Sequence, residues 1–92
     1  MIKFKNQVGW TVYKITADEC FFFGGSSICD ECNKICSSGG YLVPVLNHFM
    51  CVVCFNEWNS CCSFYPEDLG FEKSNIDYYE RILPVVVSDV PV

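Results

Sequence analysis

The chain has 92 residues, eight of them cysteine, and a formal charge of −5; the length fits one domain, and a hydrophobic content of 51% excludes a disordered chain. Lys3, Lys5 and Lys14 precede the first acid, after which eleven acids face only Lys34, Lys73 and Arg81. Phosphate binding needs clustered Lys and Arg, so nucleic acid is disfavoured and an acidic body points to a protein partner, a basic one in particular.

In chain order, Ile2-Lys3-Phe4-Lys5 alternates and reads as a short strand. After Gly9, Trp10 to Thr16 is rich in aromatic and β-branched residues and predicts a second strand. Ala17-Asp18-Glu19 is then a hairpin turn and Cys20-Phe21-Phe22-Phe23 the return strand, giving an N-terminal antiparallel hairpin over residues 1–28. Three consecutive phenylalanines cannot share one strand face, so at least one must cover the second half of the chain or a partner.

Cys29-Asp30-Glu31-Cys32 opens the central segment and Cys51-Val52-Val53-Cys54 follows, with 18 residues between the pairs. Two residues between sulfurs let a tight turn aim both at one ion, and the long insert returns a second pair to complete a tetrahedron. Tyr41 to Leu46 reads as a strand whose Pro44 implies an edge or a bulge, and Asn47-His48 as its turn. Cys54, Trp58 and Cys61 or Cys62 recur at helical spacing, so a helix starts at the second pair, where its free amides and dipole stabilise thiolates. The zinc module thus spans 29–62. Tyr65-Pro66-Glu67-Asp68 and Gly70 break that helix. Ser74-Asn75-Ile76-Asp77 looks like a capping box for a short helix from Asn75 to Leu83, with the stripe Ile76, Tyr79, Ile82 and Leu83. Pro84 stops it, and a tail closes the C-terminal segment 63–92.

The fold class expected is therefore α+β, a small zinc-stapled domain. Knuckle, hairpin and helix in this order resemble a treble-clef zinc module, which implies Cys29, Cys32, Cys51 and Cys54 as ligands of Zn2+. His48 is the alternative ligand, since Cys29-x2-Cys32 with His48-x2-Cys51 is similar to half of a LIM-type pattern. Cys20, Cys36, Cys61 and Cys62 are left for core packing, a second metal or a disulfide. The lack of a leader-like apolar run favours reduced thiols and a cytoplasmic setting.

Tyr41 to Leu46, Cys51 to Trp58, Phe64 to Asp68 and Asn75 to Tyr79 together resemble small cysteine-rich proteins of phages and prophages of Gram-positive bacteria. That resemblance implies an accessory protein acting in a host cytoplasm and carries over no catalytic residue. Four thiolates close a zinc site that catalysis would need open, so the expectation is a non-enzymatic interaction module. Its contact residues would be Glu67, Asp68, Glu72, Asp77, Glu80, Tyr78 and Tyr79. In its sharpest form it inhibits a host nucleic-acid-binding or defence protein, in an anti-CRISPR-like way. A small nucleic-acid-binding zinc finger using Lys3, Lys5, Lys14 and Trp10, and a thiol-redox protein using Cys29-x2-Cys32, are the alternatives. The Phe21–Phe23 run and an edge strand would suit a homodimer.

Overall fold

The computed structural model describes all 92 residues. Its elements are β1 (Ile2–Lys5), β2 (Thr11–Ile15), α1 (Ala17–Cys20), β3 (Gly40–Val43), β4 (His48–Met50), α2 (Val52–Cys61), α3 (Leu69–Ile82) and β5 (Val86–Val87). One five-stranded sheet runs in the order β4-β3-β2-β1-β5, antiparallel except where β5 joins β1. The α+β class is as the sequence implies, but the N-terminal hairpin is formed by β1 with β2 and not by Trp10–Thr16 with Cys20–Phe23.

Central β2 is buried on both faces, with Thr11, Val12, Tyr13 and Ile15 all inaccessible. Alternation then sets the two layers. Tyr13 meets Tyr79 of α3 edge-on at 5.9 Å, while on the opposite face Tyr41 stacks on Phe55 of α2 at 4.1 Å. Buried Asn6 ties the β1–β2 connection together. Its Oδ1 accepts the amides of Val8, Gly9 and Trp10, and its Nδ2 donates to Asn59 of α2. Trp10 is 2% exposed and donates its indole N–H to the Ser63 carbonyl at 2.9 Å. It therefore cannot form the basic, aromatic surface a nucleic-acid reading requires.

Three local expectations are corrected. Cys20–Phe23 is no return strand. Thr16 Oγ1 accepts the Glu19 amide and Glu19 Oε1 accepts the Thr16 amide, a reciprocal cap that starts α1 instead, continued by a 3-10 turn over Phe21–Phe23. Phe21 and Phe22 are exposed, and Phe23 packs on Tyr78 and Tyr79. The strand after Gly39 ends at Val43, so Pro44 to Asn47 form the hairpin turn and His48 opens β4. Finally, α3 begins at Leu69 rather than Asn75, after a 3-10 turn over Pro66–Asp68. Gly70 sits in its first turn, where a glycine has little helix to weaken, and Ser74 is an interior residue, not a cap. Leu83 leaves the helix with extended dihedrals directly before Pro84, as proline requires.

The sheet is tied to α3 by a polar cluster on β1 and β2. Glu80 accepts from Lys3 Nζ at 2.6 Å and from the Tyr13 hydroxyl. Burial alone would raise the Glu80 carboxyl, but Lys3 and Tyr13 outweigh it and hold it below its usual value of 4.5. A carboxyl lowered on folding stabilises the fold above its unfolded value, and that contribution is lost as pH falls through the folded value. The stability difference between wild type and Glu80→Gln should therefore be full near neutrality and shrink below about pH 4.5. Urea melts of both proteins at each pH check this, because acid release of a bound ion affects the two alike.

Candidate metal centre

The first cysteine pair sits in a tight knuckle. Ile28 and Ile35 form a bridge across it, the Cys29 amide donates to Lys34 O at 2.9 Å, and the Asn33 amide donates back to Cys29 O at 2.9 Å. Asn33 takes the turn with φ 62, a left-handed conformation that asparagine tolerates. Asp30 clamps the knuckle to β4: its amide donates to Phe49 O at 2.8 Å and its Oδ2 accepts the Phe49 amide at 2.7 Å. That clamp brings the knuckle beside the second pair. Cys51 follows β4 directly and is the N-cap of α2, its Sγ accepting the Cys54 amide at 3.4 Å.

The result is a cluster of four sulfurs, Cys29, Cys32, Cys51 and Cys54, all within 4.8 Å of one another. A tetrahedral zinc with Zn–S bonds of about 2.3 Å needs sulfurs about 3.8 Å apart. Cys32 and Cys51 are already separated by 3.8 Å. Cys29 is fully buried, Cys51 nearly so, Cys54 half-buried and Cys32 exposed, so the centre has one side towards solvent.

Electrostatics within the cluster fit a cation. Burial opposes ionisation of Cys29, but the amides of Cys51, Cys32 and Glu31 outweigh it and bring the thiol down to about 6. The Cys54 thiol is pushed far up by its hydrogen bond to Cys51, by burial, and by Cys32 and Cys29. Four thiols this close cannot all ionise alone. A divalent ion at their centre removes that conflict and makes all four ligands.

His48 stands outside the cluster; its Nδ1 lies 2.7 Å from Glu31 Oε1 in an exposed pair. The structure thus brings together the four thiols and not the alternative ligand. Among the other cysteines, Cys20 is in the core, where burial and then Cys36 and Glu19 push its thiol up to about 11. Cys36 is buried close to the cluster, and burial, then Cys51 and Cys29, raise it too. Cys61 is exposed, with its thiol donating to Glu57 O, and half-buried Cys62 accepts from Asn6 Nδ2 at 3.3 Å. The eight cysteines form no disulfide.

The seven expected contact residues divide. Glu67, Asp77, Tyr78 and Glu80 are exposed and Asp68 is half-exposed, although Asp77 pairs with Lys73 and Glu80 with Lys3. Glu72 and Tyr79 are not surface residues. Glu72 is 4% exposed and accepts the buried Thr11 amide at 2.8 Å; Tyr79 is 2% exposed and donates its hydroxyl to Asn47 Oδ1. Asp30 fixes the knuckle by its clamp to β4, a role that its place between Cys29 and Glu31 in the sequence does not signal.

Comparison with protein-family models, curated proteins and solved structures gives no match to this chain. The resemblance to phage proteins therefore rests on the residues quoted for it alone. No helix is long and apolar enough to cross a membrane.

Proposed function

We propose that the four-cysteine centre holds one zinc ion as a structural clip in a non-enzymatic domain that binds a protein partner. The carrying observation is the closed set of four sulfurs within 4.8 Å, which leaves no position for water or substrate. The clip fastens the knuckle to β4 and to the start of α2. The interaction reading is supported by exposed side chains over residues 65–78, where Glu67 and Asp77 accompany Tyr65, Leu69, Phe71 and Tyr78, the last four each 44–53% exposed. Large apolar groups left in water beside acids suit a basic partner with its own apolar surface. Lys3 is occupied by Glu80, which weakens the case for phosphate binding. The resemblance to phage proteins carries the reading further, to occupation of a basic nucleic-acid-binding groove on a host defence protein.

Native mass spectrometry of protein purified without chelator tests the clip. One zinc per chain and a colourless solution are expected. An iron-thiolate absorption band or a metal-free chain would overturn the assignment. For the interaction face, Glu67→Lys with Asp77→Lys should weaken binding of a cationic partner at least tenfold and steepen no melting curve, while Glu72→Gln should lower stability. Calorimetry against a basic peptide and thermal melts separate the two effects.

A further inference from the structure

A cavity of about 370 Å³ opens between the knuckle, β4 and α3, within the usual size range of ligand sites. Its lining includes four aromatic side chains, Phe23, Phe49, Tyr78 and Tyr79, together with Asp30. Three of these rings are inclined to one another: Phe23 lies 5.5 Å from Tyr79 at 84° and 6.5 Å from Tyr78 at 53°, and the two tyrosines are 6.0 Å apart at 63°. Tyr79 is anchored by its bond to Asn47, and Phe23 by its contact with both tyrosines, so these walls are fixed. Tyr78 is 48% exposed and forms the outer wall.

The charge in this cavity is one-sided. Asp30 gives Oδ2 to the Phe49 amide and forms no ion pair with any cation of the chain. No lysine, arginine or histidine lines the cavity, and the whole chain is at −5. Aromatic rings attract cations through their negative faces, and a carboxylate beside them selects a cation over a neutral apolar group.

We propose that this cavity receives the alkylammonium or guanidinium end of a lysine or arginine from a basic protein partner, held by Asp30 and walled by Phe23, Phe49, Tyr78 and Tyr79. Its aliphatic stem would lie on the rings and its charged end would meet the carboxylate. The proposal rests on the protein-binding reading above and states the chemistry of the residue captured.

The test is titration of the metal-loaded full chain, followed by amide NMR, with a lysine peptide, the same peptide carrying norleucine, and n-butylammonium. The lysine peptide should shift the amides of Phe23, Phe49 and Tyr78, and norleucine should weaken it about tenfold, as loss of one charge-assisted contact implies. Asp30→Asn keeps an acceptor for the Phe49 amide and should cost a similar factor. Tyr78→Ala, outside the core, carries the same expectation if Asp30→Asn disturbs the knuckle. Equal affinity for lysine and norleucine peptides would overturn the proposal. So would binding of butylammonium without binding of the lysine peptide, since the cavity would then serve a free amine. A lysine peptide that shifts only residues 64–77 overturns the cavity and leaves the interaction reading standing. No shift with any basic peptide overturns both.

Discussion

Cys29→Ser is expected to yield a chain that retains no zinc and shows no cooperative melting transition. Cys29 is fully buried at the centre of the cluster, so serine there removes a ligand and leaves three thiols crowded around a gap. Structural zinc binding is worth on the order of 10–16 kcal/mol, while a domain this size has about 5–15 kcal/mol in total. Loss of most of that affinity cannot be made up by the small core. Cys54→Ser should behave alike, and so should the wild type with excess chelator. His48→Ala and Cys61→Ser should keep one zinc and a melting temperature within a few degrees of wild type, since neither side chain is in the cluster. Metal content by mass and circular dichroism melts read all five. If Cys54→Ser keeps its zinc and its melting temperature, the quartet is wrong and His48 is the ligand to test next.

The centre was legible because its signal is chemical and local. Two Cys-x2-Cys pairs allow few other uses, and the helix at the second pair shows in the spacing of Cys54, Trp58 and Cys61. The contact face is less legible because charge alone is a poor sign of exposure. Extending the stripe of α3 back from Tyr79 through Ile76 lands on Glu72, one helical turn earlier, so the periodicity places that acid in the core. Its partner, the backbone amide of Thr11, lies 61 residues away in sequence and leaves no local trace. The segment after β2 had the opposite problem. Thr16-Ala17-Asp18-Glu19 carries a helix-capping pattern, but the aromatic run behind it has strand propensity. The reciprocal cap decides the local conformation, and β3 takes the place beside β2 that the return strand would have filled.

That pairing of β3 with β2 depends on two glycines, and Gly39→Ala is expected to cost about 3–5 kcal/mol. Gly39 has φ +89, where a side chain is strained, and an added Cβ would lie 2.2 Å from Ile15 O and 2.7 Å from Thr16 Cα. Both neighbours are backbone, Ile15 of β2 and Thr16 of the α1 N-cap, so neither can rotate away. Strain of about 1–3 kcal/mol from the dihedral adds to an overpacking cost of similar size. For a chain of this length the melting temperature should fall by roughly 15 °C or more. Gly9→Ala is the control. It has φ +102 but open space around the new methyl, so only the dihedral term applies and about 1–2 kcal/mol is expected. Gly40→Ala brings the opposite pairing: its φ is not positive, but its Cβ would lie 2.4 Å from Met50 O, on the strand that leads into Cys51. Displacing β4 there moves one sulfur pair against the other. Gly40→Ala should therefore weaken zinc retention against a competing chelator as well as stability, whereas Gly9→Ala should leave zinc retention unchanged. Equal losses at Gly9 and Gly39 would mean that the close approach of β3 to β2 does not form as described.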